Sequence, residues 1–182
     1  MCGDRCLHLV KSTLHHLYLP VWGWSDSDKK KQLEAATSRF VIAFAPNSSL
    51  PEKQPHAGSD CSEAPPFIAR PLLEDGQVPV AMVNYRFEAG YTGEPALYLY
   101  ELVVDPAYQR LGLASHLVRL TEAMAWSSAM DAIILTEFVD NKAAAALYRR
   151  LGFTLDKASP RGKGYEILSK HRPKGKGSDK KS

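Results

Sequence analysis

ELVVDPAYQRLGLASHLVRL, residues 101–120, is the stretch whose reading decides the fold. Its opening closes an apolar run, Ala96–Val104, that reads as a strand. Pro106 and Gly112 then interrupt the run, and from there Leu113, Leu117, Leu120 and Met124 recur at the spacing of a helix with one apolar face. A strand that turns into a helix across Gly112 and Ala114 leaves the main chain bare where the helix begins. Backbone N–H groups can then face an anion, with the side chains of Gln109 and Arg110 beside them. A second block, DNKAAAALYRRLGF (residues 140–153), sets Asn141 before a short helix and Tyr148 on it. Asn141 suits a helix cap as well as a ligand contact.

Outward from these blocks the chain alternates helices and strands. Leu7–Tyr18 is apolar at a helical period and ends before Pro20. Ser25-Asp26-Ser27-Asp28 offers capping side chains ahead of a second helix over 29–36. Strands are expected at Arg39–Phe44, Val78–Phe87, Ala96–Val104, Ala132–Phe138, Phe153–Asp156 and Tyr165–Leu168, with a hairpin turn from Gly90 to Gly93. A helix is expected over Asn141–Leu151. Residues 46–77 carry six prolines and read as a flexible insertion. The pattern predicts one α/β (α+β layered) domain over residues 1–169, followed by a basic disordered tail, 170–182.

Charge supports that division. The chain is +3 overall while residues 170–182 alone carry +5, so the body is mildly acidic at about −2. Such a tail suits weak contact with nucleic acid or an import signal as well as simple solubilisation. No apolar window is long enough for a membrane span, and MCGDRCLHL lacks the features of a signal peptide. Cys2, Cys6 and Cys61 have no metal-ligand spacing. They read as reduced thiols, Cys2 and Cys6 at the surface, in a nuclear or cytoplasmic protein with no metal.

Glu101 is the outstanding polar residue. It sits in an otherwise apolar strand directly before the turn, where poor solvation raises a carboxylate's pKa and makes it a better proton acceptor. Tyr148, with an ordinary pKa near ~10, is protonated at neutral pH and able to donate.

The Gln109-Arg110-Leu111-Gly112-Leu113-Ala114 turn, followed by Asn141 and Tyr148, resembles the coenzyme A site of the GNAT acetyltransferases. That resemblance implies a GNAT acyl-CoA N-acyltransferase fold, a mixed, mostly antiparallel sheet flanked by helices, with acetyl-CoA as donor. It assigns the cofactor to Leu102, Val103 and Val104, to residues 109–114, and to Asn141 and Tyr148. Glu101 becomes the general base and Tyr148 the group that protonates the departing sulfur.

More selective blocks resemble one branch. Tyr18 with Trp22-Gly23-Trp24, Leu97-Tyr98-Leu99-Tyr100-Glu101, Leu135-Thr136 and Tyr165-Glu166-Ile167-Leu168-Ser169 are similar to NatD, the N-terminal acetyltransferase of histones 4 and 2A. The similarity covers nearly all of residues 10–170 outside 46–77. It implies acetylation of the α-amine of a Ser-Gly-Arg-Gly start; a monomer, in nucleus and cytoplasm, is the default expectation. Tyr18, Trp22, Tyr98, Tyr100, Thr136 and Tyr165 line the peptide site, and Glu88 reads the arginine. One of Trp22 and Trp24 serves only to fill the core. An α-amine suits such a base, since its pKa of ~8 against ~10.4 for lysine leaves it roughly two hundred times more free base at neutral pH.

The chain departs from that pattern in three places. Gly90 stands near the family's second acidic position, with Glu94 as the candidate replacement. The Tyr18–Trp22 spacing is one residue shorter. The family's opening strand and N-terminal arm have no counterpart before the first helix, an expected cost to stability and activity. Two alternatives stay open: a GNAT enzyme for another protein terminus or a small amine, and a non-catalytic module that binds acetyl-CoA or a histone tail.

Overall fold

A computed structural model describes residues 2–46 and 77–173. The reading of 46–77, apart from its two end residues, falls outside them. So do the readings of Cys61, of the Cys2 side chain and of the tail from 174 onward.

Six strands form one sheet in the order β1-β2-β3-β4-β6-β5. They are β1 (Arg39–Pro46), β2 (Gln77–Ala89), β3 (Pro95–Val104), β4 (Ala132–Phe138), β5 (Thr154–Leu155) and β6 (Tyr165–His171). Only β3 and β4 pair in parallel; every other neighbouring pair is antiparallel. The expected mixed, mostly antiparallel sheet is therefore observed. A parallel pair needs a crossover, and α3 (Leu113–Ser127) supplies it. Helices α1 (Cys2–Tyr18) and α2 (Asp26–Leu33) precede the sheet, and α4 (Lys142–Arg150) links β4 to β5.

Helices cover both faces. On one, Leu117, Val118 and Ala125 of α3 and Leu147, Tyr148 and Leu151 around α4 pack on Ala81, Val83, Leu97, Leu99, Ile133 and Leu135. On the other, Cys6, Leu9 and Val10 of α1 and Leu33 of α2 pack on Met82 and Val103. Cys6 is thus a buried core residue and not the surface thiol expected from sequence.

The helix boundaries follow their caps. α2 starts three residues earlier than expected because Ser25 is its N-cap, accepting from Asp28 N at 3.3 Å. Asp26 and Asp28 in the first turn also favour helix there. α3 buries Leu117, Val118, Thr121 and Ala125, a stripe displaced from the expected 113/117/120/124. Thr121 tolerates burial because its hydroxyl donates to Leu117 O at 2.8 Å. β6 runs to His171, because its edge pairs with β4 as far as Ala132.

Two features of β3 build the site. First, Asn84 pairs with Glu101 while Tyr85 pairs with Leu99, so Tyr100 is an extra residue, a β-bulge. The bulge breaks the period-two alternation. Leu97 and Leu99, and then Leu102 beyond it, pack on the α3/α4 side, whereas Val103 packs on the α1/α2 side. Glu101 thereby turns toward α1 and α2. Second, the parallel ladder runs only from Ala96↔Ala132 to Leu99↔Leu135, although β3 continues to Val104 and β4 to Phe138. Beyond Leu99 the two strands part, and a passage opens through the sheet.

Candidate active site

A cleft of about 790 Å³ occupies this passage. Its walls come from both faces of the sheet: Tyr18, Trp22, Trp24, Lys29 and Gln32 from the α1/α2 side, and Asn141, Ala144 and Tyr148 from α4. Tyr98, Tyr100, Glu101 and Leu102 of β3 face Thr136, Glu137 and Phe138 of β4 across it.

Glu101 is only 2 % exposed. The carboxylate is buried as its sequence setting implied, but it has partners. Its Oε1 accepts from the Tyr18 hydroxyl at 2.7 Å and from Lys29 Nζ at 2.7 Å. Lys29, 8 % exposed, also donates to the Tyr18 hydroxyl at 2.9 Å and to Gln32 Oε1 at 2.6 Å. Its ammonium lies 4.1 Å from the centre of the Tyr18 ring, a cation–π contact. Burial, and then the neighbouring Glu101 charge, hold the Tyr18 phenol far above its usual pKa, so it stays a donor.

Tyr148 is buried at the α4 side of the cleft, its ring against Phe153. Burial raises its pKa well above the ordinary phenol value, and the charges of Glu137 and Glu101 add to the effect. It therefore holds its proton at neutral pH. Asn141 caps α4, its Oδ1 accepting from Ala144 N at 3.2 Å, and it lines the cleft as well.

The aromatic walls form one connected set. Trp22 is half-exposed and meets Tyr18, Phe138 and Tyr165 with ring centres 4.9–5.6 Å apart. Trp24 packs with the α1/α2 core, and its indole N–H donates to Asp26. Trp22 thus stands at the rim, whereas Trp24 both packs on the core and lines the cleft, so the expectation that one of the two serves only to fill the core is not met. Tyr98 shares a 2.6 Å hydrogen bond with Thr136, and Tyr165 reaches the rim through Trp22 without lining the cleft.

Glu88 lies apart from Glu101, in an adjoining pocket of about 310 Å³ that shares Tyr98 and Tyr100 with the main cleft. Its carboxylate accepts from the Tyr100 hydroxyl at 3.0 and 3.1 Å. Arg86 reaches it at 3.9 Å and stacks over the Tyr100 ring. Glu94 does not join it. Its carboxylate accepts from Thr92 N at 3.0 Å and from the Thr92 hydroxyl, bracing the hairpin turn.

The turn expected to hold the cofactor sits at the end of β3. Gly112 and Arg110 both have left-handed backbone, φ 83° and 67°, which reverses the chain into α3. No side chain caps α3, so its first-turn N–H groups are left for solvent or an anion. Gln109 turns back, donating to Val104 O at 3.1 Å. Leu102 lines the cleft, whereas Val103, Val104 and Gln109 to Ala114 lie beyond it.

Sequence reading missed Lys29, Gln32, Glu137 and Phe138. Lys29 stands in a Lys-Lys-Lys run that looks solvated. The available signal was Leu33, four residues on, which marks the inward face of α2. Glu137 is buried in β4 with Oε2 unbonded among the described residues, and burial lifts its pKa. Among the described residues no group of three His, Cys, Asp or Glu side chains could hold a metal, and no helix is long and apolar enough to cross a membrane.

Comparison with known proteins supplies the family. Over 73 residues the chain is 32% identical to an aminoglycoside N(6')-acetyltransferase type 1 from Acinetobacter genomosp. 13, a match covering 40% of this chain and 50% of that protein. The chain thus spans about half the length of that curated relative. Among solved structures, an aminoglycoside 6'-acetyltransferase type Ii superposes with TM-score 0.61 at 16% identity, covering 95% of this chain and 92% of that one. The NatC complex bound to Gag peptide and CoA superposes with TM-score 0.60 at 17% identity, covering 93% and 90%. At such identities the shared property is the fold. The family model described as acetyltransferase (GNAT) matches residues 14–153, which take in the cleft, the 109–114 turn and Tyr148, so this chain belongs to the acetyltransferase (GNAT) family, whose acetyl donor is acetyl-CoA.

Proposed function

We propose that this chain transfers the acetyl group of acetyl-CoA to the α-amine of proteins that open Ser-Gly-Arg-Gly, the start of histones 4 and 2A. The observation that carries the reading is Glu101, a buried carboxylate where β3 and β4 part, with the protonated phenol of Tyr148 lining the same passage.

A thioester in that passage has a proton acceptor on one side and a donor on the other. The amine nitrogen bonds to the thioester carbonyl carbon. The C–S bond then breaks, its electron pair passing to sulfur. The nitrogen's surplus proton goes to Glu101 and the thiolate takes one from Tyr148, after which solvent returns a proton from Glu101 to Tyr148. The uncapped start of α3 and the 109–114 turn suit the pyrophosphate of the donor.

The finer substrate assignment draws on the aromatic walls and on the Trp22-Gly23-Trp24 and Tyr165–Ser169 blocks. Tyr18, Trp22, Tyr98 and Phe138 leave room for a small Ser-Gly backbone, and the pocket holding Glu88 offers an acidic partner to an arginine. This reading has one acid there instead of two, because Glu94 braces its hairpin. It also takes the protein as a monomer of nucleus and cytoplasm, with residues 170–182 touching nucleic acid weakly.

The aminoglycoside-acetylating relative favours a second reading, transfer to a small polyamine. One mass-spectrometric assay with acetyl-CoA separates the two, using a Ser-Gly-Arg-Gly peptide, the same peptide α-blocked, and an aminoglycoside. We expect acetylation of the free terminus alone. Glu101→Gln should lower kcat by about 10²–10⁴, the usual worth of a positioned base. Acetylation of the aminoglycoside alone would overturn the peptide reading. Coenzyme A binding without product on any amine would leave a binding module.

A further inference from the structure

Nothing in the family resemblance assigns a role to Lys29, yet its ammonium bonds directly to the candidate base. Resting on the function proposed above, the geometry points to Lys29 as a positioning residue that neutralises Glu101, so that the acceptor amine enters the cleft as free base and not as an ammonium ion.

The argument is electrostatic. Lys29 Nζ and Glu101 Oε1 are 2.7 Å apart, and both side chains are over nine-tenths buried. Two opposite charges so placed present almost no net charge to a third group a few ångströms away. The Tyr18 hydroxyl and Lys29 both bond to Oε1, so Oε2, with no bond among the described residues, is the oxygen left for the amine's proton. A neutral amine can approach it. An ammonium would gain little from a carboxylate already paired and would meet the Lys29 cation beside it.

Among the described residues no other charged group bonds directly to the pair. Tyr18 from α1 is held as a neutral phenol, Gln32 and the Trp24 ring carry no charge, and Tyr148 across the cleft is protonated. Asp28 at the mouth and Glu137 on β4 are the remaining acids lining the cleft. Neither bonds to Lys29.

The test uses the full chain and two unreactive peptides with the Ser-Gly-Arg-Gly start. One carries an α-trimethylammonium, permanently charged, and the other a neutral α-hydroxyl. In wild type the charged analogue should inhibit at least tenfold more weakly than the neutral one, and the acid limb of kcat/KM should fall at the substrate amine's own pKa. Lys29→Met leaves Glu101 as a bare anion. The preference should then reverse, and the acid limb should move at least one pH unit lower. Lys29→Arg keeps the charge and should keep the preference for the neutral analogue, whatever its turnover.

Should Lys29→Met fail to fold, the wild-type comparison of the two analogues decides alone. Equal or tighter inhibition by the charged peptide in wild type, or an acid limb unmoved in a folded Lys29→Met, would overturn the inference while the function stands. Absence of wild-type turnover on any amine would overturn the function itself, and this inference with it.

Discussion

Glu137 is a buried carboxyl that the proposed chemistry does not use. Burial is the main reason its pKa is raised; Arg149 and Lys142 oppose the shift, and Glu166 adds to it. A carboxyl raised on folding stabilises the fold fully below its ordinary value, and that contribution is lost as pH rises through the raised one. Glu137→Gln keeps the shape without the charge. It should match wild type in melting temperature near pH 4 and exceed it by about 2–4 °C at pH 8, as read by calorimetry at both pH values. A residue acting through Tyr148 instead would lower kcat in the same variant. Tyr148→Phe should reduce kcat by about tenfold or more with KM little changed, since the phenol is assigned to the leaving sulfur alone. Glu101 was legible because it is a charged group in an apolar strand, and Tyr148 because its place after Asn141 fits the family pattern. Lys29 was not, because one lysine among three says nothing about direction until the helix is seated on its sheet.

At the scale of the element, sequence reading fared best where one apolar face meets one core. Among the described residues it found each of the six strands and four helices, and β4 to the residue. It could not find the bulge at Tyr100, since LYLYELVV is apolar on both faces and hides a break in alternation. That bulge is what turns Glu101 toward α1 and α2, so its orientation was illegible even when the residue was not. The stripe of α3 was misread for a similar reason. Thr121 looks polar in the sequence, yet its own helix satisfies it. Helix α2 belongs to this scale too. It carries Lys29 and Leu33 inward, and its start depends on Ser25. Ser25→Ala should cost about 1 kcal/mol of stability in denaturant unfolding with m unchanged, and Ser25→Asp should retain most of it.

For the whole molecule, the decisive feature is a sheet covered on both faces yet open along one seam, between β3 and β4. A ligand lying in that seam replaces strand pairing that the protein itself does not make, so binding and folding are linked. Coenzyme A at one hundred times its dissociation constant should add about 2.7 kcal/mol, raising the melting temperature by roughly 5–10 °C for a chain of this size. A thermal-shift titration checks this directly, and a flat response would argue against a donor in the seam.

The ladder between β1 and β2 closes with Pro46 opposite Gln77. Pro46 and Gln77 are therefore already side by side in the sheet. Surgery on the gene follows from this. A short reverse turn can replace residues 47–76, because joining adjacent ends costs little and grows by only about 0.6 kcal/mol for each doubling of length. The junction is a natural port for a tag, an epitope or a reporter domain. A protein so spliced should keep its circular dichroism and its melting cooperativity, which would make the site a practical handle for immobilising the protein.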